Sequence, residues 1–128
     1  MCQVLVVDDD PVHRYLVQYL CRSNSKISSL ECFLKPADAL DFITKRVCTK
    51  SLLPEVILFN VNMLALDSWK FFETLQNSYK SAEKQVSIFI LSTAPQPKSE
   101  HLRMQYECVK GYFPKPLTKS ILDRVIVS

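Results

Sequence analysis

Glycine is almost absent from this chain: Gly111 is the only one in 128 residues. Phosphate-cradling loops of the Walker or Rossmann kind need several glycines where backbone approaches the anion, so neither can be built here. Long apolar runs are also missing, which excludes a membrane-spanning helix. Asp8, Asp9 and Asp10 interrupt the first apolar run after only four residues, so no signal peptide is expected. Charge of one sign is not in excess, with 16 basic against 13 acidic residues and a net charge of +3. Lys35, Lys45, Arg46, Lys70, Lys84, Arg103, Lys110 and Arg124 are scattered, whereas a nucleic-acid surface gathers its basic residues on one face. Paired cysteines are lacking too. Cys2, Cys21, Cys32, Cys48 and Cys108 are odd in number and form no CxxC, which argues against a disulfide framework and a zinc site. Free thiols among apolar neighbours behave as small hydrophobes, and a reducing cytoplasm is the compartment they fit. Membrane and nucleic acid are therefore not expected as partners.

Short apolar runs alternate with helical patterns along the whole chain. Val4-Leu5-Val6-Val7 and Val56-Ile57-Leu58-Phe59 are continuous apolar runs, as in strands covered on both faces. Val86–Leu91 reads the same way, and Val109–Phe113 reads as a last strand. Residues 27–33 read as a less apolar strand, suited to a sheet edge. Pro11, with Asp10 as N-cap, opens a first helix carrying Val12, Tyr15, Leu16, Tyr19 and Leu20 at helical spacing. Pro36 opens a second, with Ala39, Leu40, Ile43 and Val47 on its buried face. Trp69, Phe72, Leu75 and Tyr79 mark a third, and residues 98–107 read weakly as a fourth. Thr118 caps a last helix bearing Ile121, Leu122, Val125 and Ile126. Five βα units without a linker predict one domain over 1–128: an α/β, doubly wound, five-stranded parallel sheet of order 2-1-3-4-5, with helices on both faces.

Chemistry in such a sheet sits at the carboxyl ends of the strands, beside the switch point. The residues there are Asp8-Asp9-Asp10 after the first strand, Asn60-Val61-Asn62 after the third, Ser92-Thr93 after the fourth and Lys115-Pro116 after the fifth. Paired carboxylates suit a hard divalent cation such as Mg²⁺. A lysine and a hydroxyl suit phosphoryl oxygens. Each element alone is commonplace: an acidic run often just starts a helix, and Lys-Pro is often just a turn. Their joint occurrence at the proper strand ends is informative.

Over essentially all of its length the sequence resembles the response-regulator receiver domains of two-component signalling. The resemblance implies the flavodoxin-like receiver fold. It assigns the acidic pair to Asp8 and Asp9, the hydroxyl to Ser92 and the conserved-pattern lysine, followed by a cis peptide, to Lys115-Pro116. It assigns the switching aromatic to Tyr112. The position of the phosphoaccepting aspartate, however, holds Asn60. Leu64 and Ser68 stand where the family pattern has proline and glycine.

An aspartate attacks a phosphohistidine donor with a charged oxygen. The neutral amide of Asn60 cannot give an acyl phosphate, so the usual transfer should fail. The expectation is therefore a pseudo-receiver: a protein-interaction module in a phosphorelay, not an enzyme, with no catalytic residue. Mg²⁺ is expected to bind weakly at best, on Asp8, Asp9 and the Asn62 backbone carbonyl, and no other cofactor is implied. Returning an aspartate at position 60 should tighten cation binding, with Trp69 as a reporter. An alternative keeps phosphorylation but moves it to Asp8, Asp9 or Asp67. A flavin-binding reading lacks the phosphate loop that it needs after the first strand. If the chain is complete at residue 128, action by binding is expected. The partner is a sensor histidine kinase, another signalling protein or a second copy of the chain. It is expected on the face built from 95–128, around Arg103, Lys110, Tyr112 and Lys119, with the first helix and its Tyr15 and Tyr19 as the second choice.

Overall fold

The computed structural model describes residues 2–60, 68–92 and 106–126, without the side chains of Asn60, Ser68, Trp69, Lys70 and Ser92. The strands are β1 (Cys2–Val7), β2 (Ile27–Phe33), β3 (Val56–Asn60), β4 (Ser87–Ser92) and β5 (Val109–Pro114). The helices are α1 (Pro11–Arg22), α2 (Pro36–Thr49), α3 (Ser68–Ser81) and α4 (Lys119–Val125). All strand pairs are parallel, in the order β2-β1-β3-β4-β5. The expected doubly wound topology is therefore the one observed. The less apolar strand lies at an edge, where half-exposed residues cost least. The weak helical pattern over 98–107 lies mostly outside the described residues; its last residue, Glu107, stands in a turn.

Alternation along the strands divides the core into two layers. Leu5, Val7, Ile57, Phe59, Ile88 and Ile90 meet Ala39 and Ile43 of α2 and Phe71, Phe72, Leu75 and Tyr79 of α3. On the other face Val4, Val6, Val56, Leu58 and Leu91 meet Val17 and Cys21 of α1 and Leu122 and Val125 of α4. Strands buried on both faces need apolar residues at every position, which explains the unbroken runs. Burial pushes the Cys21 thiol up to about 12. It also raises Tyr79, whose hydroxyl donates to the Pro54 carbonyl at 2.6 Å. The five cysteines are free, as their number and spacing suggested.

The lone glycine has a steric reason. A Cβ at Gly111 would lie 3.0 Å from Cδ1 of Phe89 and 3.4 Å from Cε2 of Phe113. Those two rings pack 5.9 Å apart across β4 and β5. Even one methyl group would have to displace the aromatic pair.

Apolar spacing in α1 marks Val12, Tyr15, Leu16, Tyr19 and Leu20; the fully buried residues are His13, Val17 and Cys21, with Leu20 packed partly against the same layer. Val12, Tyr15 and Tyr19 are 79, 73 and 63% exposed. His13 faces inward onto its polar partners, and Val17 and Cys21 follow it on the same face.

Candidate functional site

Register brings the strand ends together. Val7 of β1 stands beside Phe59 of β3, so Asp8 and Asn60 are the next residues on neighbouring strands. Asn60 pairs with Leu91 of β4, and Ser92 pairs with Pro114 of β5. Asp8, Asn60, Ser92 and Lys115 thus meet along one end of the sheet. The Lys115–Pro116 peptide is cis, as the resemblance implied. Tyr112 is half-buried and packs against the core layer of α2 and α3. Asn62 and Asp67 lie outside the described residues.

The corner after β1 is built by short-range polar chemistry. Asp10 caps α1, its carboxylate accepting the N–H groups of Val12 at 3.0 Å and His13 at 3.3 Å. This satisfies donors that a helix start leaves unpaired. Asp8 Oδ1 in turn accepts the Asp10 N–H at 2.9 Å, bending the chain from strand into helix. Asp9 and Asp10 remain exposed, whereas Asp8 is only 1% exposed.

A buried carboxylate needs partners. Lys115 places its Nζ 4.0 Å from Asp8 Oδ1, and the side chains are 5 and 2% exposed. His13 supplies the other partner, with Nδ1 2.5 Å from Asp8 Oδ2. On its far side His13 Nε2 accepts the backbone N–H of Leu117 at 3.2 Å. An imidazole nitrogen that accepts carries no proton, so these contacts assign the neutral tautomer with the proton on Nδ1, donated to Asp8. One ring therefore ties the end of β1 to the segment following Lys115–Pro116.

Sequence reading found Asp8 and Lys115 but missed His13. The available signal was slight: a histidine three residues into a helix that opens on Pro11, five residues after Asp8. It does not belong to the motif set that the resemblance assigns, and a histidine on a helix start is usually a solvated residue.

The fit to a divalent cation is poor at Asp8. Both of its oxygens accept from, or lie against, groups of the protein itself. Among the described residues no group of three His, Cys, Asp or Glu side chains is placed to hold a metal ion. A hard cation requires several oxygens in a regular arrangement, and at Asp8 it would compete with the His13 ring on Oδ2 and with the Asp10 N–H and the Lys115 ammonium on Oδ1.

No family model matches the chain. A protein-glutamate methylesterase/protein-glutamine glutaminase of Vibrio vulnificus (strain YJ016) is 26% identical over 122 residues, covering 94% of this chain. The chain spans only 32% of that relative's length. A two-component response regulator from Cytophaga hutchinsonii superposes with a TM-score of 0.81 at 19% identity, over 96% of this chain and 92% of that one. The receiver domain of the histidine kinase CKI1 from Arabidopsis thaliana, in complex with Mg²⁺ and BeF₃⁻, gives 0.78 at 21% identity, over 98% of this chain and 87% of that one. Similarity of this extent, with the strand order described above, gives the chain the fold of response-regulator receiver domains.

Proposed function

We propose that the chain, over residues 1–128, is an atypical receiver domain that acts in the cytoplasm as a protein-interaction module of a two-component phosphorelay. It is neither a phosphoryl acceptor of the usual kind nor an enzyme. The observation that carries this reading is Asn60 at the end of β3, next to the Asp8 strand end. That is the place of a nucleophilic carboxylate, and a carboxamide oxygen there has neither the charge nor the product chemistry for an acyl phosphate.

The alternative acceptors fare unequally. Asp8 is enclosed and its oxygens are occupied, so it is a poor nucleophile. Asp9 is exposed and remains the competing acceptor. Mg²⁺ is not a resident ion in this reading.

For a partner surface, the described residues favour α1. Val12, Tyr15 and Tyr19 form an exposed stripe at spacings of three and four, flanked by Arg14 and Arg22. Tyrosine and arginine are residue types that anchor protein interfaces. The face from 95–128 contributes Lys110 and Lys119, both exposed, and Tyr112. Alanine at Tyr15 and Tyr19, against charge reversal at Lys110 and Lys119, separates the two faces once a partner is in hand.

The test of the function is intact-mass spectrometry after incubation with acetyl phosphate and Mg²⁺. The unmodified chain should keep its mass. A stoichiometric gain of one phosphoryl group, mapped to Asp9 or any other residue, would overturn the reading.

A further inference from the structure

The poor fit of Asp8 to a cation has a specific cause. Asp8 Oδ2 accepts the Nδ1 proton of His13, and Oδ1 accepts the Asp10 N–H with the Lys115 ammonium beside it. His13 cannot swing aside without loss, because its Nε2 holds the Leu117 N–H at 3.2 Å in a buried setting. A cation that displaced the ring from Oδ2 would leave a buried Nδ1–H without its acceptor, or strand the Leu117 donor if the ring turned. Both losses carry desolvation costs. The protonated Nδ1 offers no lone pair of its own, and Mg²⁺ favours oxygen over nitrogen.

We infer that His13 withholds Asp8 from divalent cations by occupying its carboxylate from within, so that of the acidic pair only the exposed Asp9 stays available. His13 is a positioning residue acting through Asp8, independently of Asn60. The inference rests on the reading of these strand ends as a receiver pocket and adds a consequence. An aspartate at position 60 restores one charge but leaves Asp8 engaged. Contrary to the expectation from sequence, that single substitution is then insufficient to rebuild the cation site, and release of Asp8 is also required.

The test uses Mn²⁺ as a spectroscopic substitute for Mg²⁺, read as depletion of the free-ion electron paramagnetic resonance signal, with no phosphodonor present. Four chains are compared: unmodified, Asn60→Asp, Asn60→Asp with His13→Met, and Asn60→Asp with His13→Asn. Methionine fills space but donates nothing to Asp8, whereas asparagine retains an N–H donor. The inference expects weak binding by the unmodified chain and Asn60→Asp. His13→Met should tighten binding by about tenfold or more over Asn60→Asp, the scale on which outer partners tune metal affinity. His13→Asn should stay near Asn60→Asp. A merely structural histidine would lose affinity on substitution, not gain it. Equal binding by Asn60→Asp with and without His13→Met would overturn the inference, as would tight binding by the unmodified chain. Should circular dichroism show that the His13 variants do not fold, the ¹⁵N–¹H spectrum of the His13 ring in Asn60→Asp decides. A persistent Nδ1–H through a Mg²⁺ titration supports closure, and its displacement overturns it. Phosphate uptake by the unmodified chain would refute the function proposed above without altering these cation results.

Discussion

Helices α1 and α2 lie on opposite faces of the same sheet and are held there differently. In α2 the inward residues are those that apolar spacing selects: Ala39 and Ile43 are fully buried, with Leu40 and Val47 partly so. Its attachment is hydrophobic, non-directional and proportional to area. In the first turns of α1 the arrangement is reversed. Histidine faces inward, while Val12, Tyr15 and Tyr19 face solvent. Two directed hydrogen bonds, to Asp8 and Leu117, fix the start of that helix. Only further along do Val17 and Cys21 pack in the ordinary way. A helix fixed by polar anchors can leave its apolar residues outside, where they are free to contact another molecule.

A single denaturation series checks this comparison, ordered by expected effect. Ile43→Ala should be the most damaging, at about 2–5 kcal/mol, because it empties a fully buried site. His13→Met should cost about 1–3 kcal/mol, since it leaves a buried carboxylate oxygen and a backbone donor without partners. Tyr15→Ala and Tyr19→Ala should each stay within about 0.5 kcal/mol, as exposed positions do. A His13 effect as small as those of the tyrosines would dissolve the distinction between the helices. Large losses at the tyrosines would mean that the stripe is structural and not a free surface.

The cysteines near the ends of the same two helices sharpen the contrast. Cys21 of α1 is buried and its thiol is pushed up to about 12, so it is protonated at neutral pH. Cys48 of α2 is exposed. A thiol reagent at neutral pH should therefore label Cys48 first. Cys21 should react only when the protein unfolds or the pH nears 12, because the thiolate is the reactive form. Early modification of Cys21, located by peptide mass, would show that α1 opens locally.

The fold was legible because its dominant force is. Val4–Val7 and Val56–Phe59 are unbroken apolar runs since both of their faces are covered, and strands of that kind can be recognised from composition and length. The lower polarity contrast of 27–33 was enough to place β2 at the edge, and Asp10, Pro11 and Thr118 announced helix starts through known capping chemistry. In the site, Asp8 and Lys115 were legible because each follows a recognisable strand. His13 was not, because its role depends on Leu117, distant in sequence and brought close only by the crossing of α1 over the segment after β5. The inward face of α1 was not assigned for the same reason: periodicity counts apolar area and is blind to one buried hydrogen-bonded ring. Gly111 likewise gave no sign that its purpose is to make room for the rings of Phe89 and Phe113.

The function proposed for this chain requires that its receiver-like strand ends give no response to phosphoryl chemistry. Beryllofluoride with Mg²⁺ tests that most directly, because the pair accompanies the CKI1 receiver domain in its solved complex. The measurement is the ¹⁵N–¹H amide spectrum of the unmodified chain through a titration with both, followed at Asp8, Asn60, Tyr112 and Leu117. The account predicts that these amides stay in place. Saturable shifts at the ends of β1, β3 and β5 would contradict it.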